Sequence, residues 1–234
     1  MNLNDKVVLV TGGAKGIGSS IVESLANLGC YVIINYNTSK QEAIKLKQKP
    51  KDKVMIIKAD ISNELEVKEM INKIVKEFKK IDILINNAAY TCDNLIEEKT
   101  KKEFMRVLEV NVFGTFLVSK YASKYMNKGI IINISSTDAV DTYNEYNIDY
   151  SASKAAVNSL TKSLALILKD IKVLSLMPLW VNTEIVREMN QEYLKSELKR
   201  TNQKKLLEPV QVANKVIELI NSDITSGSII RMEE

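Results

Sequence analysis

Tyr150 and Lys154 are the residues of this chain whose types and spacing best suit acid–base chemistry. A free tyrosine has a pKa of about 10, so it keeps its proton at neutral pH unless a neighbour favours the phenolate. A lysine ammonium in a water-poor site can supply that preference. In a helix, a spacing of four residues places both side chains on one face. We therefore expect the Tyr150 hydroxyl to exchange a proton with a bound molecule.

Composition restricts the other kinds of catalytic centre. The chain has no histidine, which excludes a Ser-His-Asp triad and argues against a zinc site, so no metal is expected. Cys30 and Cys92 lie far apart and form no CxxC pair, so we interpret both as small apolar residues. Acid–base work is therefore left to tyrosine, lysine, cysteine and the acidic residues.

A glycine-rich turn follows the first predicted strand, in the segment TGGAKGIG at 11–18. Gly12, Gly16 and Gly18 would allow a tight turn, a close approach of the backbone to a pyrophosphate, and N–H groups at a helix N-terminus that face an anion. Because the turn lies between a predicted strand and a predicted helix, it indicates a dinucleotide-binding site.

The segment after the second predicted strand bears on which dinucleotide binds. An acid here would receive the ribose hydroxyls of NAD, but the sequence NYNTSK at 35–40 has none, and the first acid is Glu42. Asn, Thr, Ser and Lys side chains can donate to a 2′-phosphate, and Lys15 adds a nearby cation. We therefore expect NADP (NADPH), with NAD as the less favoured alternative. Asp60, after the third predicted strand, could accept from the adenine amino group or serve only as a turn or capping residue.

Short β-branched runs alternate with amphipathic segments along the chain. This pattern predicts an α/β fold: a single-domain, doubly wound (Rossmann) parallel sheet of about seven strands with helices on both faces. No linker or repeat divides 1–234, and the polar stretch 184–208 is a possible substrate lid. The predicted strands are 7–11, 31–35, 53–57, 82–86, 129–134, 171–176 and 228–231, and the predicted helices are 16–28, 39–47, 64–78, 101–126, 150–168 and 209–220.

Five motifs carry a resemblance to a known family: TGGAKGIG at 11–18, NNA at 86–88, Asn111, INISS at 132–136 and YSASK at 150–154. They occur in order and at the usual separations, and they span nearly the whole chain. The chain resembles the classical, single-domain form of the short-chain dehydrogenase/reductase family. The resemblance implies an oxidoreductase that reduces a carbonyl to an alcohol with a nicotinamide cofactor.

The resemblance also implies a role for each matching residue. Tyr150 would be the general acid in reduction, and Lys154 would bind the nicotinamide ribose and lower the tyrosine pKa. Ser136 would bind the substrate carbonyl oxygen, and Asn111 would hold a water that links Lys154 to solvent. Together with the glycine turn, the resemblance predicts cofactor contacts at Gly12, Ala14, Lys15, Gly16, Ile17, Gly18, Asn37, Asp60, Ile61, Asn87, Ala88, Tyr150, Lys154, Val181 and Thr183.

The chain departs from the family pattern in four places. Ala89 and Leu179 stand where the family commonly has glycine, and a leucine adds bulk beside the nicotinamide and loses access to positive φ. Ser136 precedes Tyr150 by one position more than in the commonest members; Thr137 would restore the usual spacing, but the INISS match favours Ser136. The glycine-rich end of the family is replaced by the sequence RMEE at 231–234.

The stretch NNAAYTCDNL at 86–95 is similar to that of bacterial 3-oxoacyl-acyl-carrier-protein reductases. This similarity implies reduction of a 3-oxoacyl thioester in fatty-acid synthesis, and the basic later half of 184–208 could dock an acidic carrier. Two other hypotheses remain open: an NAD-dependent sugar, polyol or other secondary-alcohol dehydrogenase, and a catalytically silent dinucleotide-binding regulatory protein. Tyr143, Tyr146 and Trp180 are candidates for a substrate pocket or for ordinary packing.

Charge and hydropathy bear on partners. A balance of 33 basic against 29 acidic residues gives a net charge of +4, which is too mild to indicate nucleic-acid binding. The chain opens on no signal-like segment and contains no long apolar run, so we expect a soluble, cytoplasmic protein with no membrane partner. The predicted helices 101–126 and 150–168 match those of a four-helix interface in family tetramers, which predicts a homodimer or homotetramer.

Overall fold

A parallel sheet forms the centre of the computed structural model, which describes residues 2–48 and 53–232. Within these residues the strands are β1 Val7–Val10, β2 Tyr31–Tyr36, β3 Val54–Lys58, β4 Ile83–Asn86, β5 Ile130–Ile134, β6 Lys172–Met177 and β7 Ile229–Arg231. Their order is β3-β2-β1-β4-β5-β6-β7, and all neighbours pair in parallel. The predicted doubly wound fold is confirmed. Glu233 and Glu234, part of the atypical end, lie outside the described residues.

Helices cover both faces of the sheet. They are α1 Gly16–Asn27, α2 Lys40–Lys47, α3 Glu64–Phe78, α4 Lys101–Leu108, α5 Thr115–Ala122, α6 Ile148–Ile167, α7 Glu184–Glu188, α8 Gln191–Arg200 and α9 Pro209–Asn221. The apolar sides of α1, α2 and α9 pack into the core on one face, and those of α3, α5 and α6 pack into the core on the other. The strands are nearly all apolar because they are buried on both sides.

The helix predicted at 101–126 is not continuous. A π-helical segment, Glu109–Gly114, separates α4 from α5, and a 3-10 turn, Ser123–Tyr125, follows α5. The prediction of one regular helix was therefore wrong in the middle, because an amphipathic pattern does not distinguish a wide π turn from α geometry. π segments inside helices occur frequently at functional sites, and this one contains Asn111.

The chain reverses its direction of travel across the sheet between β1 and β4. From β1 it moves outward to β2 and β3, and it then returns to place β4 on the other side of β1. In open α/β sheets, ligands bind in the crevice that this reversal creates at the carboxyl ends of the strands. The glycine turn leaves β1 there, and Asn87 follows β4 at the same edge.

The stretch 184–208, predicted as a possible lid, contains α7 and α8 and is bonded to the rest of the molecule. Arg200 at the end of α8 donates from Nη2 to the Thr142 carbonyl at 3.0 Å. The Gln203 side chain accepts from the Trp180 N–H at 3.0 Å and donates to the Trp180 carbonyl at 2.8 Å. Movement of this stretch as a lid stays a prediction. No helix in the described part of the chain has the length and apolar character needed to cross a membrane.

Candidate active site and dinucleotide groove

The glycine turn after β1 brings backbone segments together at distances that a side chain would prevent. Gly12 has a φ of +60°, and a Cβ there would lie 2.8 Å from the Cα of Ala88. A Cβ on Gly18 would lie 2.4 Å from the Gly12 carbonyl oxygen. No side chain caps the N-terminus of α1, so its first N–H groups are not taken by a capping residue. The turn therefore has the form of a phosphate-binding cradle.

Thr11 joins this turn to the segment after β4. Its fully buried hydroxyl accepts from the N–H groups of Asn87 at 3.0 Å and Ala88 at 3.1 Å. The Asn87 side chain donates in return to the carbonyls of Thr11 at 3.0 Å and Gly12 at 3.1 Å. Sequence reasoning missed Thr11, although a hydroxyl at the end of a buried strand needs a partner and could have been noticed.

An open groove of about 530 Å³ passes the carboxyl ends of β1 to β4. Glycine backbone lines one part of it and polar side chains after β2 line another, an arrangement that suits the phosphates and the adenosine of a dinucleotide. Of the predicted cofactor residues, Gly18 lies behind the turn, and Val181, Tyr150 and Lys154 line the adjoining cavity. The groove itself is lined by the others, namely Gly12, Ala14, Lys15, Gly16, Ile17, Asn37, Asp60, Ile61, Asn87, Ala88 and Thr183.

Lys15 is paired with two acids beside the groove. Its Nζ lies 3.1 Å from Glu42 Oε1 on α2 and 3.1 Å from Glu184 Oε2 on α7. These hydrogen bonds raise the pKa of Lys15 above its usual value. The sequence suggested Lys15 as a nearby cation and placed the first acid after β2 at Glu42; the structure brings these two residues together. The positive charge at this end of the groove is therefore shared.

Asp60 lines the groove with its carboxylate already engaged. Oδ2 lies 2.8 Å from Arg106 Nη2, and Oδ1 accepts from the Ser62 hydroxyl at 2.6 Å. Its predicted contact with adenine stays a prediction and would have to use the remaining lone pairs. Arg106 also lines the groove. It was missed because it is on α4, far along the chain, and nothing in its local sequence indicates a ligand.

A smaller cavity of about 240 Å³ adjoins the groove and contains three of the predicted catalytic residues. Ser136, Tyr150 and Lys154 line it together. One wall is apolar and is formed by residues after β6, whereas Asp138 adds a carboxylate. Trp180 lines the cavity as suggested; Tyr143 and Tyr146 do not, and Tyr146 instead packs edge-on against Tyr193. Groove and cavity form one continuous site, because both are lined by Ile17, Asn87, Ala89, Thr183 and Ile185.

The hydroxyl of Ser136 is oriented by the backbone that follows it. Its oxygen accepts from the Asp138 N–H at 3.1 Å, which leaves the hydroxyl proton for donation. The Ser136 and Tyr150 side chains line the same cavity, and Ser136 acts to lower the pKa of Tyr150 against the larger effect of burial. Tyr150 lies in the first turn of α6, where its N–H donates to Asp149 Oδ1 at 2.9 Å. The two hydroxyls are therefore placed to meet one oxygen atom of a ligand.

Lys154 is buried, and its ammonium donates to the Ile134 carbonyl at 2.8 Å. Burial lowers the pKa of Lys154 to about 8, against the opposing effect of the Asp138 carboxylate. Its Nζ lies 5.3 Å from the centroid of the Tyr150 ring. Burial raises the pKa of Tyr150, and the Asp138 charge adds to that rise. This direction is opposite to the lowering that the resemblance implied, because burial and a carboxylate act most strongly on the phenol here.

Asn111 lies behind the cavity rather than in its lining. Its side chain accepts from the Tyr90 N–H at 2.7 Å and donates to the Tyr90 carbonyl at 3.0 Å and the Ser153 hydroxyl at 2.9 Å. The Ser153 hydroxyl in turn donates to the Tyr150 carbonyl at 2.7 Å. Asn111 therefore connects the segment after β4 to the helix that carries Tyr150. Its role in a proton path stays a prediction.

The two residues that replace family glycines do not distort the site. Ala89 lies at the junction of groove and cavity, and Leu179 lines the cavity and packs on the core. Neither Ala89 nor Leu179 has a positive φ. A glycine is therefore not required at either position for conformational reasons, and both leave the cavity open.

The chain is similar in sequence and in structure to known oxidoreductases. The sequence model of the family described as short chain dehydrogenase matches residues 6–194. An uncharacterized oxidoreductase of Thermotoga maritima is 36% identical, covering 77% of this chain and 73% of the relative. Glucose 1-dehydrogenase 2 of Bacillus subtilis is 29% identical, covering 95% and 90%. A short chain dehydrogenase from Burkholderia cenocepacia, solved with NADP, is 25% identical and superposes with a TM-score of 0.93, covering 100% of this chain and 98% of that one.

Proposed function

Because the chain belongs to the short-chain dehydrogenase family, we propose that it is an NADP(H)-dependent oxidoreductase that interconverts a carbonyl and an alcohol. The observation that carries the proposal is the meeting of Ser136, Tyr150 and Lys154 in one cavity that shares its wall with a dinucleotide groove. When bound, the nicotinamide supplies or accepts the hydride. The chain's own residues bind the oxygen, move its proton and hold the reactants together.

Each residue of the cavity has a defined part in reduction. Ser136 donates its free hydroxyl proton to the substrate carbonyl oxygen, which polarises the bond. Tyr150 then transfers its proton to the same oxygen as negative charge develops there. Lys154 carries the compensating positive charge beside the resulting phenolate, in a site where burial strengthens the attraction. In oxidation the proton moves in the opposite direction.

The choice of NADP rests on the polar groups at the adenosine end of the groove. Asn37, Thr38 and Ser39 line it after β2 and can donate to a 2′-phosphate, and no acid stands among them. Lys15 lies beside the same end, although Glu42 and Glu184 share its charge. The solved Burkholderia relative binds NADP, which supports this choice. NAD is the alternative, and the ratio of kcat/KM for NADPH and NADH measures the preference.

Two substrate classes fit the proposed reaction. A 3-oxoacyl thioester is favoured by the stretch 86–95 and by the apolar wall of Leu179, Trp180 and Met189, and would place the enzyme in fatty-acid synthesis. A sugar, polyol or other hydroxylated alcohol is favoured by the similarity to a glucose dehydrogenase and by the carboxylate of Asp138 in the cavity. We also propose that 184–208 forms the movable wall of the substrate cavity.

A panel assay tests the function. NADPH oxidation is followed with a 3-oxoacyl thioester, simple ketones and hydroxyketones, and NADP reduction with sugars and polyols. We expect turnover with at least one class, and we expect Tyr150→Phe to reduce kcat by at least about a hundredfold while cofactor binding is retained. Cofactor binding without turnover on the whole panel would instead support a catalytically silent dinucleotide-binding protein.

We further propose that the chain assembles as a homodimer or homotetramer through α4 to α6. Large apolar side chains are exposed along these elements, and Phe113 and Phe116 stack on each other at the surface with ring centroids 6.1 Å apart. Exposed apolar groups of this kind are typical of subunit interfaces. Light scattering of the purified protein gives the mass that decides between the two assemblies and a monomer. The other exposed apolar residues there are Met105, Tyr125, Ile148, Leu166 and Ile167.

A further inference from the structure

Asp138 places a nearly buried carboxylate in the substrate cavity. The residue is 7% exposed and lines the cavity two positions after Ser136. Its Oδ1 accepts from the Thr142 hydroxyl at 2.7 Å. In the described part of the chain, Oδ2 receives no hydrogen bond. It is also not fully enclosed by protein atoms. Oδ2 is therefore an open acceptor, and the cavity is the space that Asp138 faces.

Asp138 is not part of a structural ion pair. Among residues 2–48 and 53–232, no lysine or arginine nitrogen lies within 4.0 Å of its carboxylate. Arg200, whose charge acts on Asp138 from farther away, pairs directly with Glu197 at 2.6 Å and donates to the Thr142 carbonyl. A carboxylate that is nearly buried without a directly paired cation is costly to keep, because the more distant charges of Arg200 and Lys154 only partly offset its lost hydration, and burial still raises the pKa of Asp138. Packing and stability alone therefore do not account for it.

A hydrogen-bond donor on the substrate would compensate this cost. Ser136 and Tyr150 bind the reacting oxygen, so a group on a neighbouring carbon of the substrate would lie close to Asp138. Neutral hydroxyl groups can donate to a carboxylate, whereas an alkyl chain leaves Oδ2 unpaired and a substrate carboxylate is repelled by it. Sites built to bind a substrate hydroxyl discriminate strongly against analogues that lack it, because the buried acceptor is then left without a partner.

We propose that Asp138 is a specificity-determining residue that accepts a hydrogen bond from a hydroxyl on a carbon next to the reacting carbonyl. The preferred substrates are then hydroxyketones and, in the opposite direction, vicinal diols and sugars, rather than alkyl ketones or 3-oxoacyl thioesters. This inference rests on the proposed carbonyl–alcohol oxidoreductase activity. It selects the second of the two substrate classes.

The test compares two ketones of nearly equal size that differ in one group. Hydroxyacetone has a hydroxyl where butan-2-one has a methyl, and kcat/KM with NADPH is measured for both. We expect the wild-type protein to prefer hydroxyacetone by about ten- to a hundredfold. We expect Asp138→Asn, which is neutral and of the same size, to reduce this preference at least tenfold.

Asp141→Asn is the matched control. It removes the same charge from the same segment, but Asp141 is exposed, pairs with Arg231 and does not line the cavity. Its preference should equal that of the wild type. Equal kcat/KM values of the wild-type protein for the two ketones would overturn this inference but not the proposed function, and this result does not depend on whether Asp138→Asn folds. An equal loss on both ketones in a folded Asp138→Asn would overturn it as well. Absence of turnover on the entire panel would overturn the proposed function and this inference with it.

Discussion

The buried ion pair between Lys99 and Asp149 gives the sharpest prediction about stability. Lys99 Nζ lies 3.0 Å from Asp149 Oδ2, and the two side chains are 4% and 0% exposed. The Lys99 ammonium also donates to the Cys92 carbonyl, and Asp149 Oδ1 accepts from the Tyr150 N–H. The pair therefore fastens the segment after β4 to the first turn of α6, directly beside the proposed catalytic tyrosine.

Lys99→Met should destabilise the fold strongly, because it leaves the Asp149 carboxylate buried and uncompensated. Breaking a buried pair in this way costs about 3–5 kcal/mol of unfolding free energy. For a chain of this size each kcal/mol lowers Tm by roughly 2–4 °C, which gives a decrease of about 6–20 °C. Lys215→Met is the control, since it removes an exposed pair with Glu218 at 2.7 Å and should cost no more than about 1 kcal/mol.

Urea unfolding followed by circular dichroism and by the fluorescence of Trp180 measures these changes. The double variant Lys99→Met/Asp149→Asn removes both charges and keeps an acceptor for the Tyr150 N–H. It should be more stable than Lys99→Met alone, because no unpaired charge is left inside. The reasoning is refuted if Lys99→Met costs no more than Lys215→Met, or if the double variant loses the sum of the two single effects.

Two further predictions concern Lys154 and Glu42. Lys154→Met should abolish activity yet stabilise the fold at neutral pH by up to about 3 kcal/mol, because burial lowers the lysine pKa from 10.5 to about 8 and the folded state must bear that charge. Between pH 8 and pH 10.5 the unfolded wild-type chain keeps the Lys154 proton that the folded chain has lost, so the unfolding free energy of the wild type should rise with pH relative to that of the variant. A difference in unfolding free energy that stays constant from about pH 7 to about pH 11 in urea titrations would contradict this. Glu42→Gln should leave Lys15 paired with Glu184 alone and so more available to a 2′-phosphate, which should raise the NADPH-over-NADH ratio of kcat/KM by no more than about fivefold because the pair is exposed. The ratio should not change in Glu218→Gln, and an unchanged or lower ratio in Glu42→Gln would count against a role for Glu42.

The strands and most helices could be predicted because local sequence determines them. Each strand is a short apolar run bounded by polar or turn residues, and the helix Glu64–Phe78 has the bounds that its periodicity indicates. The glycine turn was also readable, because positive φ and close backbone approach leave few other residue choices. The placement of Ser136, Tyr150 and Lys154 in one cavity follows from strands that end at one edge of a parallel sheet.

The remaining features depend on contacts between distant residues. The π-helical segment Glu109–Gly114 has no pattern of its own, and its position is stabilised by the bonds of Asn111 to Tyr90 and Ser153. Burial of Asp138 follows from its packing beside Thr142, which a local reading assigns to a polar loop. The sharing of the Lys15 charge with Glu184 joins residues that are 169 positions apart. Sequence patterns describe single elements well, but the electrostatics of a site depend on which elements meet there.

The position of β1 in the middle of the sheet has a consequence for the chain while it is being synthesised. The bonds that Asn87 and Ala88 make to Thr11 span 76 and 77 residues, so the glycine turn emerges from the ribosome long before its support exists. Until β4 has been made, one edge of β1 remains unpaired and apolar, which is a surface prone to aggregation and suited to chaperones. Thr183, which lies against Gly16, arrives later still. The binding site is thus begun at residues 11–18 and completed only after residues 87, 88 and 183 have been synthesised.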